Sequence, residues 1–135
     1  MESIYDRVQF YRFGREERRQ IVEKVRRLLA GEKRILLALI FGSFTRRESV
    51  RDVDICVYSA PTLNLSDMLS LNAEIELDLG CTVDLVELAH LSAPLRLNVL
   101  RNGILVKGEE TLLHRLLDQA YSEREGLEYY LKSHI

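Results

Sequence analysis

Apolar residues fall in short blocks along the chain, and the spacing within each block predicts a fold element. Ile21, Val22, Val25, Leu28 and Leu29 recur at three- and four-residue intervals between Arg15 and Ala30, the face of an amphipathic helix that Gly31 is placed to cap. Ile35–Phe41 is an unbroken apolar run of strand length that stops at Gly42-Ser43. After an arginine-rich excursion, Val53–Tyr58 reads as a second strand. A connector from Pro61 leads to a helix with Ser66 as the expected N-cap, Asp67 in the first turn, Met68, Leu71, Ile75 and Leu79 on one face, and Gly80 at its end. Cys81–Leu88 is the third strand. Ser92-Ala93-Pro94 opens a further helix, Asn102-Gly103 closes it, and Ile104–Val106 is a short strand. Thr111 is the expected cap of a last helix striped by Leu112, Leu113, Leu116, Leu117 and Ala120. That helix runs on through Tyr129, Tyr130 and Leu131, with Gly126 as a candidate break.

Strands separated by helices make this an α/β (α+β) chain, a sheet covered by helices on at least one face. Its 135 residues suit one domain, with a core over about 15–107 and a helical tail over about 111–133. No apolar run approaches the roughly 18 residues of a membrane span, and Met1-Glu2-Ser3 does not open a signal peptide. Cys56 and Cys81 lack metal-ligand spacing and are expected as reduced core thiols of a cytoplasmic protein. His90, His114 and His134 have no partner acid or cysteine nearby. The net charge of −2 hides an asymmetry: residues 1–51 hold 13 of the 19 Lys and Arg, and residues 52–135 hold 14 of the 21 Asp and Glu. A basic N-terminal half can attract a triphosphate, RNA or an acidic partner, although most of these residues read as a solvated helix face.

The chemistry concentrates between Leu36 and Tyr58. Asp52 and Asp54 stand at period two, so on a strand their carboxylates share a face with Cα atoms roughly 7 Å apart. Two carboxylates so placed repel unless a cation sits between them, and a divalent metal is the natural occupant. Ahead of them, Gly42 lets a backbone approach phosphate without a Cβ in the way, and Ser43 offers a hydroxyl and an N–H. Taken singly, a Gly-Ser pair is only a turn and an Asp-x-Asp only a charged strand end.

Together, the apolar strand, Gly42-Ser43, the short loop and Asp52-Val53-Asp54 resemble the signature of the DNA polymerase beta-like nucleotidyltransferase superfamily, closely over Ile35–Glu87. The resemblance implies that fold, a mixed sheet flanked by helices. It implies that Gly42 and Ser43 hold the nucleotide triphosphate, that Arg46 reaches its β- or γ-phosphate, and that Asp52 and Asp54 bind magnesium. Asp84, within Val83-Asp84-Leu85-Val86, stands where the family has its third acid. Two magnesium ions, or manganese in their place, would then activate an acceptor hydroxyl and grip the triphosphate of ATP. Arg47 stands where many relatives have glycine, and the loop from Ser43 to Asp52 is one or two residues short.

The chain has no room for the nucleic-acid-binding domains of polymerases, so direct nucleic-acid binding is not expected. It resembles the minimal nucleotidyltransferase (MNT) type, many of which are antitoxins of HEPN-domain RNase toxins. That likeness implies transfer of AMP from ATP to a toxin tyrosine, as a homo- or hetero-oligomer with the HEPN-type toxin as partner. Two alternatives stand beside it: a nucleotidyltransferase acting on a small molecule, and a non-catalytic module that neutralises its partner by binding. The aromatic residues Tyr5, Phe10, Tyr11 and Phe13, with Tyr129 and Tyr130 of the tail, are expected at such an interface.

Overall fold

The computed structural model describes residues 11–45, 49–50 and 52–134. In chain order the strands are β1 (Tyr11–Arg12), β2 (Ile35–Phe41), β3 (Ser49–Val50), β4 (Val53–Ser59), β5 (Val83–Glu87) and β6 (Ile104–Lys107). The helices are α1 (Arg15–Ala30), α2 (Leu65–Leu79), α3 (Ala93–Asn102) and α4 (Glu110–His134). Four strands form a sheet in the order β5-β4-β2-β6, and β1 pairs with β3 in a separate two-stranded ribbon. β2 runs antiparallel to both β4 and β6, whereas β4 and β5 are parallel, so the sheet is mixed. The connection between the parallel pair is α2, the helical crossover that a parallel pairing requires.

Both faces of the sheet are covered, which is why β2 and β4 read as nearly continuous apolar runs. On one face Ile35, Ala38, Ile40, Ile55 and Val57 pack against Ile21, Val25 and Leu29 of α1 and Ile75 of α2. On the other, Leu37, Leu39 and Cys56 pack against Leu97, Val99 and Leu100 of α3 and Leu116 and Ala120 of α4. A register shift between Ile35 and Leu37 leaves Leu36 exposed and exchanges the faces that β2 presents. The burial of Cys56 pushes its thiol up to about 12, so it is packing material and not a nucleophile. No helix among the described residues is long and apolar enough to cross a membrane.

The limits of the four helices and of the four-stranded sheet agree with the sequence pattern to within two residues, with three local corrections, whereas the pattern gives no sign of the short strands β1 and β3. Asn64, not Ser66, caps α2: its backbone is extended (φ −77°, ψ 171°) and its side chain accepts a 2.8 Å hydrogen bond from the Asp67 N–H. Both residue types cap helices well, and the backbone angles decide between them. α4 begins at Glu110, which leaves Thr111 inside its first turn, and it passes through Gly126 without a break. Every described residue of α4 beyond Ala120 is exposed, so that half of the helix leaves the core.

Of the expected aromatic interface, Tyr5 and Phe10 lie outside the described residues. Phe13 turns inward, half-buried, with its ring centroid 5.9 Å from that of Phe44. Tyr129 and Tyr130 are 75% and 55% exposed.

The reassigned cap gives a direct test. Asn64→Ala removes the Asp67 N–H acceptor and should destabilise the protein by about 1 kcal/mol in chemical denaturation, whereas Ser66→Ala should change stability by a few tenths at most. Equal effects of the two substitutions would return the cap to Ser66.

Candidate active site

The site is assembled by strand register at one end of the sheet. β2 ends at Phe41 and β4 begins at Val53, and their antiparallel pairing sets Phe41 opposite Asp54. The parallel pairing of β4 with β5 then sets Asp54 directly beside Asp84. Residues paired across a ladder share a face. Asp54 and Asp84 therefore point to the side on which Cys56 and Val86, two residues further along each strand, pack toward α3 and α4. Asp52 immediately precedes β4 and completes a group of three acids from two adjacent strands.

Asp54 lies within electrostatic reach of the other two. Asp54 is half-buried, and its carboxyl is raised from 3.8 to about 6, first by burial and then by the negative charges of Asp84 and Asp52. No Lys or Arg among the described residues forms an ion pair with any of the three. Among the described residues no three His, Cys, Asp or Glu side chains already close into a cage for an ion. An all-oxygen set of carboxylates suits a hard divalent cation such as magnesium or manganese.

Gly42 opens a turn of 3-10 helix, Gly42–Thr45, immediately after β2. Its φ of 74° lies in the left-handed region, and a Cβ at this position would collide with Oδ2 of Asp54. Glycine is thus required twice, by the backbone and by the carboxylate pressed against it. Ser43 is half-buried in the same turn. The Thr45 hydroxyl closes the turn by donating to the Gly42 carbonyl at 2.8 Å. From α1, the Arg18 guanidinium lies 5.1 Å from the Phe44 ring centroid and donates to the Phe44 carbonyl, while its Nε donates to the Phe13 carbonyl at 3.2 Å. One residue of the basic N-terminal half is therefore a brace for the turn and not part of a solvated face. Arg46, expected on the triphosphate, lies outside the described residues, as do Arg47 and Arg51.

A cleft of about 380 Å³ adjoins this turn, with Gly42 and Thr45 on one side and Leu95, Asn98 and Asn102 of α3 on the other. The pattern of α3 gave no notice of it, because two asparagines on a short helix read as an ordinary wet face. Their spacing of four residues, which puts both on one stripe, was the available signal.

The raised Asp54 carboxyl predicts a specific pH dependence for the metal-free protein. Asp54 takes up its proton near pH 6 when folded and near 3.8 when unfolded, so stability falls as pH rises through that interval and the penalty is complete above it. Asp54→Asn should therefore raise the melting temperature at pH 8, by the equivalent of about 1–2 kcal/mol once solvent screening of a half-exposed group is allowed for. The gain should disappear below about pH 4, where both states are protonated. Thermal melts in chelator across that range check it, and a lower melting temperature for the variant at pH 8 would show that the carboxylate is not repelled.

The profile of the family described as polymerase beta nucleotidyltransferase matches residues 23–111, which span both the turn and the three acids. The fold recurs in solved toxin–antitoxin structures. A chain of a toxin–antitoxin complex with AMP-PNP is 25% identical, with a TM-score of 0.73 over 83% of this chain and 93% of that one. A chain of the tri-AMPylated Shewanella oneidensis HEPN toxin in complex with MNT antitoxin is 24% identical, with a TM-score of 0.72 over 86% and 93%. A chain of the MntA-HepT toxin–antitoxin is 23% identical, with a TM-score of 0.71 over 85% and 93%. A search of curated protein sequences finds no significant match. The matched profile covers most of the chain and the whole of the acid-bearing sheet end, and on that ground the protein belongs to the polymerase beta nucleotidyltransferase family.

Proposed function

We propose that this protein transfers AMP from ATP to a tyrosine hydroxyl of a HEPN-type toxin and so acts as its antitoxin. The observation that carries the reading is the placement of Asp54 beside Asp84 and under Gly42, in a chain whose fold recurs among toxin–antitoxin complexes. One of those complexes contains an ATP analogue and another an AMPylated toxin. Asp52 and Asp54 hold the metal pair, and Asp84 completes the side at which the acceptor enters. Bound magnesium supplies charge neutralisation at the phosphates and a lower pKa for the acceptor hydroxyl.

The chain's own residues then have separate tasks. Gly42 leaves the Asp54 carboxylate room against the turn, and Ser43 and Arg46 hold the β- and γ-phosphates by hydrogen bonding and charge. The tyrosine oxygen attacks the α-phosphorus, forming one P–O bond as the bond to the β-phosphate oxygen breaks. Pyrophosphate leaves, and the phenolic proton passes to the carboxylate cluster or to water. Burial and the neighbouring acids raise the Asp54 carboxyl to about 6, and a bound cation would favour its ionised form. The cleft is open, and the exposed half of α4 presents Tyr129 and Tyr130 for contact with the partner that brings the acceptor.

The test is to incubate the protein with a HEPN-type toxin, magnesium and each nucleoside triphosphate, and to measure the intact mass of the toxin. Addition of whole AMP units from ATP, abolished by Asp52→Asn or Asp54→Asn, is the expected result. Ser43→Ala and Arg46→Ala should weaken ATP binding in magnesium. A toxin that is bound tightly but gains no nucleotide would overturn the transfer reaction and leave neutralisation by binding alone.

A further inference from the structure

The cleft beside Gly42 has walls of a different chemistry from the acid cluster it adjoins. Leu95, Asn98 and Asn102 follow one another at three and four residues along α3, so they form one stripe. Phe41 and Gly42 stand across from them, and among the described residues no Lys, Arg, Asp or Glu lines the space. Neither carboxamide has a hydrogen-bond partner among the described residues, and both asparagines are exposed. At about 380 Å³ the space falls within the roughly 300–1,000 Å³ of small-molecule sites, which combine apolar walls with a few polar groups.

Position decides what such a space can hold. Gly42 belongs to both places: it borders the cleft, and its missing Cβ faces the Asp54 carboxylate. A nucleotide with its reacting phosphate at the acids therefore has the cleft within reach of its nucleoside. The apolar sides of Phe41 and Leu95 favour a flat heterocycle there.

We infer that Asn98 and Asn102 bind the nucleobase of the nucleoside triphosphate in this cleft and that adenine is the base they select. The inference rests on the nucleotidyl-transfer reading of the acid site. A carboxamide offers one donor and one acceptor side by side, matching the N6 donor and N7 acceptor of adenine. Guanine presents two acceptors at O6 and N7, which the paired donor and acceptor of a carboxamide match less well.

Calorimetric titration of magnesium–ATP, magnesium–GTP and magnesium–tripolyphosphate into the wild type, Asn98→Ala, Asn102→Ala and the double variant tests this. Alanine at these exposed helix positions is compatible with the fold, and a circular-dichroism melt verifies it. The expected result is an ATP dissociation constant about five- to a hundredfold higher in at least one single variant, loss of any preference for ATP over GTP, and unchanged affinity for tripolyphosphate. Unchanged ATP affinity in the double variant overturns the assignment while leaving nucleotidyl transfer standing. Equal weakening of tripolyphosphate also overturns it, because the cleft then holds the phosphate tail. A wild type that binds none of the three overturns both the base site and the reaction it rests on.

Discussion

Parallel pairing of β4 with β5 is the constraint on which the site depends. It aligns Asp54 with Asp84 residue for residue, and the antiparallel neighbour β2 delivers Gly42 against the same carboxylate. A one-residue slip of β5 against β4 would turn Asp84 to the opposite face, toward α1 and α2, and a slip of β2 against β4 would carry Gly42 away from Asp54. Register is held by apolar burial on both faces: Ile55 and Val57 lock one side of β4, and Cys56 locks the other. The two core layers are thus what positions three like charges at a sheet end.

That arrangement costs stability in the protein without a cation. Desolvation and the neighbouring acids hold the Asp54 carboxyl near 6, and no cationic side chain among the described residues offsets it. Elsewhere the fold meets charge differently. Arg34 is paired with both Glu32 and Asp67 at 2.9 Å, and its contacts with Glu32 hold that carboxyl down at about 2. Lys107 donates to the carbonyls of Leu29 and Glu32 at 2.8 Å, satisfying the open end of α1. Arg34 and Lys107 are thus matched to oxygen partners, whereas no described cation forms an ion pair with Asp52, Asp54 or Asp84. Acids grouped in this way, one of them with a raised carboxyl, are a candidate site for a bound cation.

The surroundings of that cluster divide the labour further. The Gly42–Thr45 turn is braced from three directions, by Thr45 onto Gly42, by Arg18 onto Phe44 and by the Phe13 ring. A rigid turn gives its backbone and Ser43 a defined position beside the acids. α3 supplies a neutral wall across the cleft, and α4 extends past the core with apolar and aromatic side chains in solvent. Leu127, Tyr130 and Leu131 recur there at three and four residues as a partly exposed stripe, with the His134 ring stacked on Tyr130.

Much of this was legible in the sequence because its signals are local. The limits of α1 and β2 follow from periodicity and from Gly31 and Gly42, and the nearness of Asp52 to Asp54 follows from their period-two spacing. Sequence could not choose between Asn64 and Ser66 as a cap, since both chemistries suit and only backbone angles distinguish them. Nor could it show that Arg18 braces a turn 26 residues away, or that Phe13 faces inward while Tyr129 faces out. Asn98 and Asn102 gained meaning only when folding set α3 across from Gly42. Local pattern determines which segments become strands and helices and which residues carry charge, because those preferences act within a few residues. Which charges meet, and which polar pair lines a cleft, was decided by strand register and helix packing, which join residues far apart in the chain.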